Sequence, residues 1–99
     1  MYIWKRTLRT PSSERFLCLK GGQEIAAVDM HYLPGGSAAG TVILLEDASI
    51  SEAEIGALLH SLDDDMLPGV DMDTGDLTFT VVQGRVVGNF EGAHDEKTG

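Results

Sequence analysis

The chain has a single cysteine, Cys18, so no disulfide can form within it, and a lone thiol suits a reducing compartment. It also lacks a membrane-spanning run. The longest stretch free of Asp, Glu, Lys and Arg, Met30 to Leu45, is interrupted by Pro34-Gly35-Gly36, whereas a spanning helix needs about 20 apolar residues in succession. Tyr2-Ile3-Trp4 is too short for the apolar stretch of a secretory signal and is followed at once by Lys5 and Arg6. A cytoplasmic location is the expectation, with no membrane association.

Bases are scarce beyond the first twenty residues. Lys5, Arg6, Arg9, Arg15 and Lys20 balance five acids within residues 1–50, but residues 51–99 carry eleven acids against Arg85 and Lys97 alone. The whole net charge of -9 therefore resides in the second half. Nucleic-acid binding needs clustered Lys and Arg to displace counterions from phosphates, so DNA and RNA are excluded as expected partners. Acidity of this size also serves simply to keep a small protein in solution.

Signatures of metal and cofactor chemistry are missing too. The three histidines, His31, His60 and His94, and the one cysteine do not fall at zinc-ligand spacings. The glycine pairs Gly21-Gly22 and Gly35-Gly36 precede no Gly-Lys-Ser/Thr, so no phosphate-binding loop is present. No cofactor and no metal are expected.

What remains is an ordinary globular composition, 42% apolar and 23% charged over 99 residues. That suffices for one domain, expected over residues 1–90, with the small polar and charged residues 91–99 as a disordered tail. Glu14 to Lys20 and Gln23 to Leu33 read as strands joined at Gly21-Gly22, which supplies the positive φ angles of a two-residue hairpin turn. Counted from that turn, Leu17, Leu19, Ala26, Val28, Met30 and Tyr32 share one face. Phe16, Cys18, Ile25, Ala27, Asp29 and His31 share the other. Tyr2 to Arg9 and the β-branched run Thr41 to Glu46 read as further strands.

The clearest local signal is a helix at residues 50–66. Ser51 and Glu54 have the spacing of a capping box, and Ile50 and Ile55 that of a hydrophobic staple. Ile55, Leu58, Leu59, Leu62 and Met66 form one apolar stripe, with Glu52, His60 and Ser61 on the wet side. Leu77 to Val82 and Arg85 to Phe90, turning at Gln83-Gly84, predict a second hairpin. The expected fold is thus α+β: an antiparallel sheet of five to six strands, ββββ-α-ββ along the chain, with one amphipathic helix packed on one face.

Candidate sites are few. Asp29 and His31 lie two apart on a strand and so point to one side, where a carboxylate can orient an imidazole for proton transfer or metal binding. Asp63-Asp64-Asp65 sets three acids at a helix C-terminus, whose partial negative charge favours bases instead. Asp71-x-Asp73-x-Gly75-Asp76 resembles a calcium loop only superficially, because Asp76 and Val82 stand where an EF-hand requires Gly and Glu. It reads better as a turn before a strand.

One helix shields one sheet face, yet these strands are apolar on both, and such strands are usually covered on both sides. The missing cover is either curvature of the sheet into a partial barrel or a second copy of the chain, with the second copy preferred. The sequence therefore predicts a non-catalytic protein-interaction or regulatory module, a homodimer or the binder of another protein. Phe16 and Ile25 are the expected contacts on the uncovered face, and Asp63, Asp64 and Asp65 the expected charged ones. The alternatives are a small enzyme or metal-binding protein using Asp29 and His31, and an acidic adaptor for a basic partner.

Overall fold

A computed structural model of the chain describes residues 1–67 and 77–92. Four strands follow one another: β1 (Tyr2–Thr10), β2 (Ser13–Lys20), β3 (Gln23–Tyr32) and β4 (Ala38–Leu45). A 3-10 turn (Glu46–Ala48) leads into the helix α1 (Glu52–Met66), and a last strand, β5 (Leu77–Gly84), completes the sheet. Spatial order follows chain order, β1-β2-β3-β4-β5. The α+β class is as expected.

The first four strands form an antiparallel meander. Gly21 and Gly22 adopt φ of 59° and 81°, the left-handed pair that lets a two-residue turn match the twist of its strands. The register counted from that turn holds for only two pairs, Lys20 with Gln23 and Leu19 with Glu24. A bulge then inserts Ile25, so Cys18 faces Ala26 and Leu17 faces Ala27. One extra residue exchanges the two faces of β2 relative to β3. Phe16 and Cys18 therefore join Ala26, Val28 and Met30 in the core, while Leu17 and Leu19 move to the other side with Ala27, Asp29 and His31.

The second expected hairpin is not formed. β5 runs parallel to β4, from Ala38 beside Leu77 to Leu45 beside Gly84, and Arg85–Gly92 forms no strand. The cause is the intervening helix. Fifteen residues of α-helix rise about 22 Å, close to the ~26 Å of an eight-residue strand. Parallel neighbours need a crossover connection of this kind, and α1 lies within the one between β4 and β5. Among the described residues the sheet is mixed, and the order is ββββ-α-β.

The helix forms for the expected reasons. Ser51 Oγ accepts from the Glu54 N–H at 3.3 Å, Leu58 and Leu62 are fully buried, and Ile50, Ile55, Leu59 and Met66 pack around them against the core. Burying each of the two leucines contributes roughly 1.5–3 kcal/mol. The helix continues through Asp63, Asp64 and Asp65 to Met66, with no base in its last turn. Residues 71–76, which carry the calcium-like pattern, and residues 93–99 of the expected tail lie outside the described residues.

Candidate functional site

Two aromatic side chains fasten the sheet to the helix at their polar ends. Tyr2 Oη donates to Glu54 Oε2 at 2.9 Å, and Trp4 Nε1 donates to Ser61 Oγ at 3.0 Å. Ser61, expected on the wet side of the helix, is instead half-buried against β1. Lys20 Nζ also reaches Glu54 Oε2, at 2.7 Å. The Glu54 carboxylate thus ties the helix start to β1 and β2. Its pKa is lowered, first by the Lys20 hydrogen bond and then by that from Tyr2. The Tyr2 phenol is pushed up to about 12 by burial, the Glu54 hydrogen bond and the Glu54 charge.

Farther along the same face, Glu14 is buried and accepts from Arg6 Nε at 2.5 Å and from the Tyr32 phenol. The Arg6 guanidinium lies 5.6 Å from the Phe16 ring centre, a cation–π contact. Burial first, and the Glu14 hydrogen bond second, raise the Tyr32 phenol well above its ordinary value. The Cys18 thiol is driven up to about 12 by burial and by the charge of Glu54. A nucleophilic cysteine needs the opposite surroundings. These groups hold the domain together.

The other face of the sheet is where exposed side chains line up. Paired residues share a face, so the register writes its rows directly. Lys5, Leu17, Ala27, Ile43 and Val82 form one row across all five strands, and Ile3, Leu19 and Leu45 lie beside it toward the β2–β3 turn. Leu17, Leu19, Ala27, Ile43 and Leu45 are half-buried, while Ile3 and Val82 are 51% and 44% exposed. The rows nearer the β3–β4 turn are mostly polar: Leu8, Arg15, Asp29, Thr41 and Thr80, then Ser13, His31, Ala39 and Thr78.

Asp29 and His31 do share this face, as expected. Asp29 is engaged by Arg15, with Nε to Oδ1 at 2.6 Å and Nη2 to Oδ2 at 3.5 Å, while His31 is exposed. A concavity of about 630 Å³ lies at the other end of β3, lined by Gly22, Gln23, Glu24, Leu45, Glu46, Arg85 and Val86. Neither Asp29 nor His31 lines it. Among the described residues no group of three or more His, Cys, Asp or Glu is arranged to hold a metal.

Phe16 and Ile25, expected as contacts on the uncovered face, are 0% and 3% exposed within the core. The bulge at Ile25 put them there and handed the open face to Leu17 and Leu19. Asp64 and Asp65 are exposed at the end of α1, and Asp65 Oδ2 accepts from Ser61 Oγ at 3.4 Å. Asp63 is half-buried. No helix among the described residues is long and apolar enough to cross a membrane. Compared with protein-family models, curated proteins and solved structures, the chain has no match.

Proposed function

We propose that the chain is a non-catalytic interaction module that associates with a second copy of itself through the sheet face opposite α1. One observation carries the reading: the unbroken row Leu17, Ala27, Ile43 and Val82, flanked by Ile3, Leu19 and Leu45, on a face that no helix or strand among the described residues covers. Half-buried apolar side chains in contiguous rows gain most when water is removed from their outer side.

Charge favours a second copy as the occupant. On this face Lys5 and Arg15 offset Glu24 and Asp29, so it is close to neutral in a chain of net charge -9. The helix side presents exposed Glu52, Asp64 and Asp65 instead. Two copies meeting by the sheet face avoid the like-charge repulsion that an approach by the acidic end of the helix would incur.

Sedimentation across a concentration series from micromolar to near-millimolar tests the reading. The expected result is a reversible monomer–dimer equilibrium that Ile43→Lys weakens at least tenfold, or about 1.4 kcal/mol. A strict monomer throughout the series overturns it.

A further inference from the structure

The two edges of the sheet are guarded very differently. β1, at one edge, carries Lys5, Arg6 and Arg9, the kind of charge that discourages further strand pairing. β5, at the other, reads Leu-Thr-Phe-Thr-Val-Val-Gln-Gly without a charge or a proline. A long uncharged edge of β-branched and aromatic residues is a template for another strand. Immediately after it, Val86, Val87 and Phe90 stand 64%, 84% and 86% exposed. Between Leu77 and Phe90 the only charged side chain is Arg85, in a half-chain that otherwise holds eleven acids.

The arm Arg85–Phe90 has the pattern to pair with β5, but not with the β5 that precedes it. A two-residue turn at Gln83-Gly84 needs left-handed backbone at both positions. Here Gln83 and Gly84 lie in the strand beside Leu44 and Leu45, and neither has positive φ. Folding back would strip both from β4. Pairing with another copy strips nothing.

We infer that β5 and the following arm form an antiparallel edge-to-edge contact between two copies of the chain, with Gly84 on the two-fold axis. It rests on the self-association reading only in naming the second copy as partner, since the surface is the strand edge rather than the open face. An antiparallel two-fold normal to the sheet keeps each face on its own side, so residues of like parity pair. With Gly84 opposite its own copy, Val82 meets Val86 of the second copy and Val81 meets Val87 of the second copy. The row Leu17-Ala27-Ile43-Val82 then ends on Val86 in the arm of the second copy, adding one more apolar side chain to it. Centring the axis on Arg85 would oppose two guanidinium groups, which directly facing positions in a sheet disfavour.

Disulfide trapping in the full chain decides the matter. A Cβ built at Gly84 or at the exposed helix residue Gly56 meets nothing within 4 Å, so either accepts cysteine, and Cys18 is buried. Under mild oxidation Gly84→Cys is expected to give a linked dimer at least tenfold faster than Gly56→Cys. Equal rates overturn the edge contact. If sedimentation of the unmodified chain shows a dimer while Gly84→Cys links no faster than the control, the edge contact falls and the open-face reading stands. A chain that stays monomeric in sedimentation, with no preferential link at Gly84→Cys, overturns both.

Discussion

At the scale of single residues, stability depends on a few polar groups that sequence patterns do not mark as important. Glu14 is 7% exposed and receives Arg6 and the Tyr32 hydroxyl. Glu14→Ala leaves a half-buried phenol and a guanidinium without their acceptor, and hydrogen bonds to charged groups contribute about 1.5–3 kcal/mol each. A loss of about 2 kcal/mol in urea unfolding is expected, and Tyr32→Phe should cost less because the Arg6–Glu14 pair survives. Alkaline pH probes the same contacts. An unfolded tyrosine ionises near pH 10, whereas Tyr2 in the folded chain holds its proton to about 12 and the Tyr32 pKa is likewise raised. The unfolded state therefore releases protons first, so stability is full below about pH 10 and falls as pH rises from there toward the folded values. Unfolding free energies measured across that range, alongside phenolate absorbance of the native state, check the sign. Cys18, with its thiol pushed up to about 12, should react with a thiol reagent only as fast as the domain opens, and denaturant should abolish the protection.

At the scale of elements, each strand had to be told from its neighbours by more than its own pattern. Gly40 on β4 shows how closely they pack: a Cβ there would lie 2.6 Å from Met30 Sδ and 2.7 Å from Phe79 ring carbons. Met30 is fully buried and has nowhere to retreat, so Gly40→Ala is expected to destabilise by about 1–3 kcal/mol, measurable as a lower unfolding midpoint at unchanged slope. The helix was legible because its signals are local: the Ser51 cap, the Ile50 and Ile55 flank, and a stripe at spacings of three and four. Even there, Glu54 did not complete the capping box, since Tyr2 and Lys20 claim its carboxylate. The β2–β3 hairpin was legible at its glycines, but the bulge at Ile25 was not. A bulge leaves both strands with acceptable alternation, and only the competition of two half-apolar faces for one helix decides which is buried. That is why the uncovered surface was legible as an idea while its residues, Leu17 and Leu19 rather than Phe16 and Ile25, were not. The parallel β5 was hidden for a related reason. Gln83-Gly84 suits a turn locally, and the pairing with Leu44 and Leu45 that overrides it is a long-range contact that no local pattern marks.

At the scale of the whole molecule, the question is which force brings a partner to it, and salt separates the answers. A chain of net charge -9 that binds a basic protein through its acids must lose affinity as salt rises, because exposed charges are screened within about 8–10 Å at physiological ionic strength. Association of two such chains through a nearly neutral apolar face behaves in the opposite way. The acids on the helix side of each copy, among them Glu52, Asp64 and Asp65, repel those of the other at long range, and screening removes that opposition while leaving apolar contact intact. The Arg15–Asp29 pair, with side chains 55% and 40% exposed, contributes little either way, as surface ion pairs do. The dimer dissociation constant is therefore expected to fall severalfold between low salt and a few hundred millimolar sodium chloride, and Ile43→Lys should raise it at every salt concentration. Sedimentation equilibrium at three ionic strengths reads both trends, and a dimer that loosens as salt increases would assign the contact to charge rather than to the row through Leu17 and Ile43.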